Sequence, residues 1–405
     1  MTRKHWLIVC FVSFIHLLVF SHRMEVIPFL VDLKDLYGVG YTEVGGLVSS
    51  FLLGYAVLQI PAGTLSDRYS PKILIIVGLT TMLVTSILFV FTHSLFFALC
   101  LRFIMGASSA MIFSPVIKLI SIFTPKEKRG VSIGILEGAA GLAMLITLTV
   151  FPFLSSFVEM NILFLFLSLS LFPVSLLFLK LSTKEGIDPT AINQKGIKKS
   201  DFLDLFKNKK IQRLMGISFF GLFGLYAFLA WMPTYMESAL GYSKQKTGII
   251  MAIMMTAQIL AAPLSGKISD LMGQRKSAII IGSILMAMSS LWLFFFHDQG
   301  IYLVVVLIGN GISLSLAPML ALATEIADVK IAGSVISIMN TIGQVGSAIS
   351  GFIYGMLYDA FGNFQLIWIV CFIAFIIRIC FCFGELENHR EKYLNVRKKE
   401  IRAHS

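Results

Sequence analysis

The stretch Gly54–Lys72, GYAVLQIPAGTLSDRYSPK, carries an apolar helix into a tight loop that holds Gly63, Ser66, Asp67, Arg68 and Lys72. Charges at the mouth of a membrane helix are costly unless they meet an aqueous rim, so they read as a capping and latching device. The pattern recurs about two hundred residues later in APLSGKISDLMGQRK, with Gly266, Ser269, Asp270, Gly273, Arg275 and Lys276 at the matching places, a sign of internal duplication. Two halves, each with one such loop, follow from the repeat.

Composition agrees with a membrane chain. Of 405 residues 57% are hydrophobic and 14% charged, and the mean hydropathy is +0.85, where a soluble domain carries about a quarter charged residues. A bilayer core about 30 Å thick takes roughly 20 apolar residues to cross. Such runs fall near 6–31, 43–66, 73–92, 94–121, 130–156, 160–181, 212–236, 246–270, 277–297, 300–323, 331–358 and 364–384. The expected fold is therefore all-α and integral to the membrane, with twelve spans in two pseudo-symmetric six-helix halves, 1–181 and 211–385. A polar, basic linker at 182–210 joins them, and a basic tail fills 386–405. Phe202, Leu203, Leu205 and Phe206 in the linker suggest a short amphipathic helix on the inner leaflet. The first run lacks a small-residue cleavage site and is too long for a signal peptide, so it is expected to stay as the first span.

The net charge of +11 does not point to nucleic acid, because the bases map onto alternate loops. Arg3, Lys4, Arg68, Lys72, Lys126, Lys128, Arg129, the run from Lys184 to Arg213, Lys267, Arg275, Lys276 and the tail lie on one side; the other side holds little beyond Lys34, Lys244 and Lys246. The positive-inside rule then places both termini in the cytoplasm, with the chain in the plasma (inner) membrane. Cys10, Cys100, Cys371, Cys380 and Cys382 all sit in apolar runs without metal-site spacing, and read as inert small hydrophobes.

The first span contains the most informative polar cluster, His16, His22, Arg23 and Glu25. A charge at such depth costs at least about 2.5 kcal/mol and should face a wet cavity or a partner; the alternative is that Arg23 and Glu25 snorkel to the outer interface. The two histidines are not a helical turn apart, so they do not share a face for a metal. Glu137, in GILEGAAG, is an acid far from both headgroup regions, with a functional or a helix-packing role open to it. Gly134, Gly138, Ala139, Ala140 and Gly141 around it would admit a neighbouring helix closely. In the seventh span Tyr226, Trp231 and Tyr235 accompany Pro233, which should break the helix; the eleventh holds Asn340 and Gln344 one turn apart. Those amides could bind a solute or tie helices together.

Gly63, Leu65, Asp67, Arg68 and Lys72 resemble the G-x-L-x-D-[RK]-x-G-[RK]-[RK] signature between the second and third helices of the major facilitator superfamily, with Ser70 and Pro71 as departures from it. SSFLLGYAVLQIPAG (49–63), AWMPTYMESALGYS (230–243) and GSVISIMNTIGQVGSAISG (333–351) further resemble the anion:cation symporter branch, relatives of sialin and of the hexuronate and galactonate transporters. That resemblance implies cavity-lining aromatics at Tyr226 and Trp231, for which an interfacial belt is the alternative. It places Arg102, followed by Gly106, in an R-x-x-x-G element linked to proton handling, where pairing to backbone carbonyls is the plain alternative. The branch's usual coupling carboxylates are missing: His22 stands in the first-helix window and Ser109 in the fourth. Coupling then falls to His22, Glu137 and Arg102.

Neither a phosphate-binding glycine loop nor an HExxH motif is present, so an enzyme is not expected, and no cofactor is called for. The leading expectation is a monomeric secondary transporter that moves a small organic anion with protons by alternating access. Arg23 would pair with the carboxylate, because a guanidinium suits bidentate contact. Tyr226, Trp231, Asn340 and Gln344 would line the solute site, and Gly63, Asp67, Arg68, Lys72, Gly266, Asp270 and Arg275 would form the latch. Proton-driven efflux of amphipathic solutes is the second expectation, favoured weakly by 35 Phe and 19 Met.

Overall fold

The computed structural model describes residues 3–125, 128–184, 205–326 and 332–384. The tail, Lys126 and most of the linker, with Phe202 and Leu203, lie outside them. Among the described residues twelve helices are long and apolar enough to cross a membrane. They are Trp6–Tyr37 (α1), Tyr41–Ser66 (α2), Pro71–Phe91 (α3), Leu95–Phe123 (α4), Arg129–Leu154 (α5), Met160–Lys180 (α6), Lys209–Ser238 (α7), Lys244–Leu271 (α8), Arg275–Phe296 (α9), Ile301–Ile326 (α10), Ser334–Phe361 (α11) and Gln365–Cys382 (α12). Large apolar side chains such as Phe91, Phe166, Leu260 and Phe295 stand on their outer faces, where lipid rather than a protein core takes them up.

The spans follow the expected runs, and α1 departs most. Its helix stops at Met24, a 3₁₀ turn covers Ile27–Phe29, and a short helix continues over Leu30–Tyr37, six residues past the expected end. Pro28 explains the interruption, since its ring removes a donor and fixes φ. Gly38 then takes a left-handed conformation (φ 63°), and Glu43 caps the start of α2 by accepting from the Gly40 amide at 3.0 Å.

Proline also explains two wide turns. Within α5 residues Ile146–Val150 form a π-turn, and within α7 residues Ala227–Trp231 do the same. Pro152 and Pro233 follow each turn by two residues. Each ring clashes with the carbonyl four residues earlier, Leu148 or Leu229, and the backbone widens there to clear it.

The described residues of Met1–Gly196, Tyr226–Met255 and Gln344–Ile367 form one compact unit, and those of Ile197–Leu225, Thr256–Gly343 and Trp368–Ser405 form the other. In the first, α2 and α4 cross so tightly that a Cβ on Gly54 would strike the Phe103 carbonyl and one on Gly106 the Phe51 carbonyl. In the second, α9 and α10 cross at Gly282 and Gly311, where a Cβ on Gly282 would lie 2.5 Å from the Gly311 carbonyl. The core of that unit runs through Ile211, Leu214, Ile217, Ile279, Leu322 and Val335. Leu205, from the end of the linker, is buried in it with Phe206 packed alongside, so this part of the expected amphipathic segment joins the core.

Candidate functional site

The break at Met24 leaves the last carbonyls of the first α1 helix without amide partners. Arg102 of α4 fills that need. Its Nη1 donates to the His22 carbonyl at 2.7 Å, its Nη2 to the Arg23 carbonyl at 3.2 Å and its Nε to the Leu47 carbonyl at 3.3 Å. Nη1 also lies 3.1 Å from Glu25 Oε1, while the other Glu25 oxygen is 2.9 Å from His22 Nδ1. The Arg102 guanidinium stacks over Phe51, 4.6 Å from the ring centre. His22, Glu25 and Arg102 are all at most 1% exposed, so the cluster is a dry, charge-compensated lock on the kink of α1. Arg102 thus pairs with backbone carbonyls, as its plain alternative had it, and binds an acid as well. Glu25 was not among the expected coupling residues, although its spacing of three from His22 places both on one face. His22 Nε2 remains buried without a hydrogen-bond partner.

The same kink turns Arg23 the other way. Its Nε and Nη2 donate to Tyr226 Oη at 2.9 and 2.6 Å, and Nη2 donates to Gln344 Oε1 at 2.5 Å. Phe20, Tyr55 and Tyr226 present ring faces 5.1, 5.7 and 5.8 Å from its Cζ. Half-buried, it has a phenol and an amide for partners, and it enters no ion pair among the described residues. Nη1 carries no hydrogen bond there. The structure thus assembles Arg23, Tyr226 and Gln344, within one compact unit, into a cationic site whose charge is not neutralised.

Other expected site residues lie elsewhere. Trp231 is fully buried on the π-turn of α7, with its ring 6.1 Å from that of Tyr41 and pressed on Gly45, so it packs helices together. Asn340 belongs to the other compact unit. Glu137 is exposed, and the glycines beside it face open space, since a Cβ on Gly134, Gly138 or Gly141 would meet nothing within 4 Å; the close approach of α5 to α1 runs instead along the face of the buried Leu136, Ala140 and Ala143. Of the two repeated loops, the second shows its chemistry. Arg275 binds Asp270 and Ser269 on α8 and, at 3.0 Å, Glu325 of α10, so three helix ends are tied by one guanidinium. In the first loop Lys118 of α4 donates to the Ser66 carbonyl, Lys72 is half-buried and Gly63 stands in open space. The side chains of Asp67 and Arg68 lie outside the described residues.

Within the first compact unit, residues of α7, α8 and α11 pack with α1 and α2. Asp359 of α11 is expected to close the end of its own helix, and instead it caps α2: it accepts from the amides of Tyr41 and Thr42 at 2.9 and 2.6 Å and from Thr42 Oγ1 at 2.6 Å. Lys244 of α8 holds both oxygens of Asp32 at 2.6 Å, and Ser49 donates to the Ala348 carbonyl at 2.5 Å. An acid at a helix start satisfies orphan amides and meets the positive end of the dipole. Asp359→Ala should cost about 1–2 kcal/mol locally and speed deuterium exchange of the Tyr41 and Thr42 amides about tenfold or more. Unchanged exchange there would show that packing alone holds the contact.

Comparison with known proteins places the chain. The family model described as Major Facilitator Superfamily matches residues 9–256 and 235–403, and the chain belongs to that superfamily of transport proteins. It is 24% identical over 356 residues to the probable sulfoacetate transporter SauU of Cupriavidus necator, covering 82% of this chain and 83% of that one. With the probable L-galactonate transporter of Escherichia coli it shares 21% identity over 260 residues, 59% of this chain and 56% of the other. A bacterial homolog of the human lysosomal transporter Spinster, solved in an inward-facing and unoccupied conformation, has the same fold: the TM-score is 0.78 at 14% identity over 95% of this chain and 97% of that one. The chain is a multi-pass membrane transporter, not an enzyme.

Proposed function

We propose that the protein carries a small organic anion, a carboxylate or sulfonate, across the plasma (inner) membrane by alternating access, in symport with protons. The observation that carries this reading is Arg23, a half-buried guanidinium inside a membrane span whose partners are both neutral. A charge in that place is costly without an opposite one, and an anionic solute supplies it. Nη1 is free to receive one oxygen, and Tyr226 and Gln344 are placed to hand Nη2 over to a second. The names of the relatives SauU and the galactonate transporter, which refer to a sulfonate and to a sugar acid, agree with this class and with the anion:cation symporter branch.

In this reading the chain is a monomer with cytoplasmic termini and needs no cofactor. The two sequence halves, 1–181 and 211–385, rock about the solute, and the loops around Asp67 and Asp270 latch one of the end states. Protons enter through His22, Glu137 or both, with Arg102 setting the charge around His22. The test is uptake by the purified protein in proteoliposomes, using labelled sulfoacetate, galactonate, a neutral sugar and a lipophilic cation. Accumulation of an anion that needs an inward proton gradient and collapses with a protonophore is the expected result. Transport confined to the cation would replace this reading with efflux.

A further inference from the structure

The second compact unit contains an arginine that the transport reading does not use. Arg378 of α12 is 2% exposed, about one turn inside the end of a membrane span at Cys382. Its Nε donates to the Ile217 carbonyl at 3.1 Å, its Nη2 meets the Met319 sulfur at 3.7 Å, and it makes no ion pair among the described residues. A thioether is a weak acceptor, so most of the charge is uncompensated, which a membrane interior does not tolerate cheaply.

Beside Arg378 lies a small cavity, lined also by Ser218, Gly221, Met286, Ser315 and Met319. Ser218 and Ser315 are 1% and 2% exposed, and neither hydroxyl has a hydrogen-bond partner. Neighbouring serines behave otherwise: Ser283, Ser289 and Ser290 bond back to carbonyls of their own helix at 2.7, 2.8 and 2.8 Å, the usual recourse of a hydroxyl in a membrane helix. Glycines make room for all three donors. A Cβ on Gly221 would lie 2.7 Å from Arg378 Nε, one on Gly282 would lie 2.5 Å from Ser315 Oγ, and one on Gly343 would collide with Ser218 Oγ.

A buried cation and two unpartnered hydroxyls therefore line one small cavity whose remaining wall is apolar. We propose that this is a binding site for a small monovalent inorganic anion, a halide of chloride size, held by Arg378, Ser218 and Ser315. A cation is repelled by the guanidinium. A phosphate or sulfate would give up a large hydration shell for three donors, whereas a halide gives up less and needs no more than these. The bound anion neutralises Arg378 and joins α7, α10 and α12 within the unit.

The test is thermal unfolding of the full-length protein in detergent, with chloride or bromide exchanged for gluconate at constant ionic strength. At saturation the halide should raise the melting temperature by about 3 °C. Arg378→Gln should abolish the difference between halide and gluconate, and the mild double variant Ser218→Ala/Ser315→Ala should reduce it severalfold even if Arg378→Gln does not fold. Arg23→Gln should keep it, which separates this site from the proposed solute site. Identical melting in halide and gluconate overturns the proposal, as does a halide shift that survives in the serine double variant or is lost in Arg23→Gln.

Discussion

Replacing Arg23 by alanine should abolish the proposed anion transport. The guanidinium offers charge-assisted hydrogen bonds worth about 1.5–3 kcal/mol each, so loss of a two-oxygen contact weakens solute binding by about 100-fold or more. The fold should survive, because Arg23 is half-buried and its partners are a phenol and an amide that hydrate without leaving a buried charge. Arg23→Lys retains the charge and loses the fork, and should recover part of the affinity. Binding measured by thermal shift and transport measured by counterflow should fall together in Arg23→Ala. Full affinity in that variant removes Arg23 from the solute site. Tyr226→Phe supplies a graded control, since it deletes the oxygen that accepts both Nε and Nη2 and leaves the ring.

The second large effect concerns the fold. Glu25→Ala strips Arg102 and His22 of their common anion in a fully buried setting, and removing one member of such a cluster costs about 3–5 kcal/mol. The kink of α1 should loosen, with lower yield and a lower apparent melting temperature. Converting Glu25 and Arg102 together, to leucine and methionine, should cost less than the sum of the single changes, because no unpaired charge remains. Strict additivity of the two changes would show that acid and base do not depend on each other.

Twelve spans were legible because each apolar run is long and few polar residues interrupt it, whereas the two compact units mix segments from both expected halves. The wide turns were half legible: Pro233 marks a break in the sequence, yet whether a break becomes a kink or a π-turn depends on neighbouring helices. At the site, Arg23, Tyr226 and Gln344 could each be named as isolated polar residues in apolar runs. That they meet is a matter of the three-dimensional path, since 203 and 321 residues separate the bonded pairs. The partners of Glu25 and Asp359 were hidden for one reason. Each serves a different helix from its own, Glu25 through Arg102 of α4 and Asp359 at the start of α2, and sequence spacing reports on neighbours along one helix only. Trp231 marks another limit, because an aromatic beside a proline has the same signature whether it lines a cavity or fills a gap against Gly45.

Asp359 binds α2 through the amides of Tyr41 and Thr42, and the Thr42 hydroxyl adds a third bond. Amides belong to the backbone, so nearly any residue at positions 41 and 42 can offer them; only proline cannot. The genetic burden of this contact is thus lopsided. Positions 41 and 42 are free to drift for other purposes, such as the ring of Tyr41 against Tyr358 and Phe364, while nearly all the mutational sensitivity of the tie is concentrated in one aspartate codon.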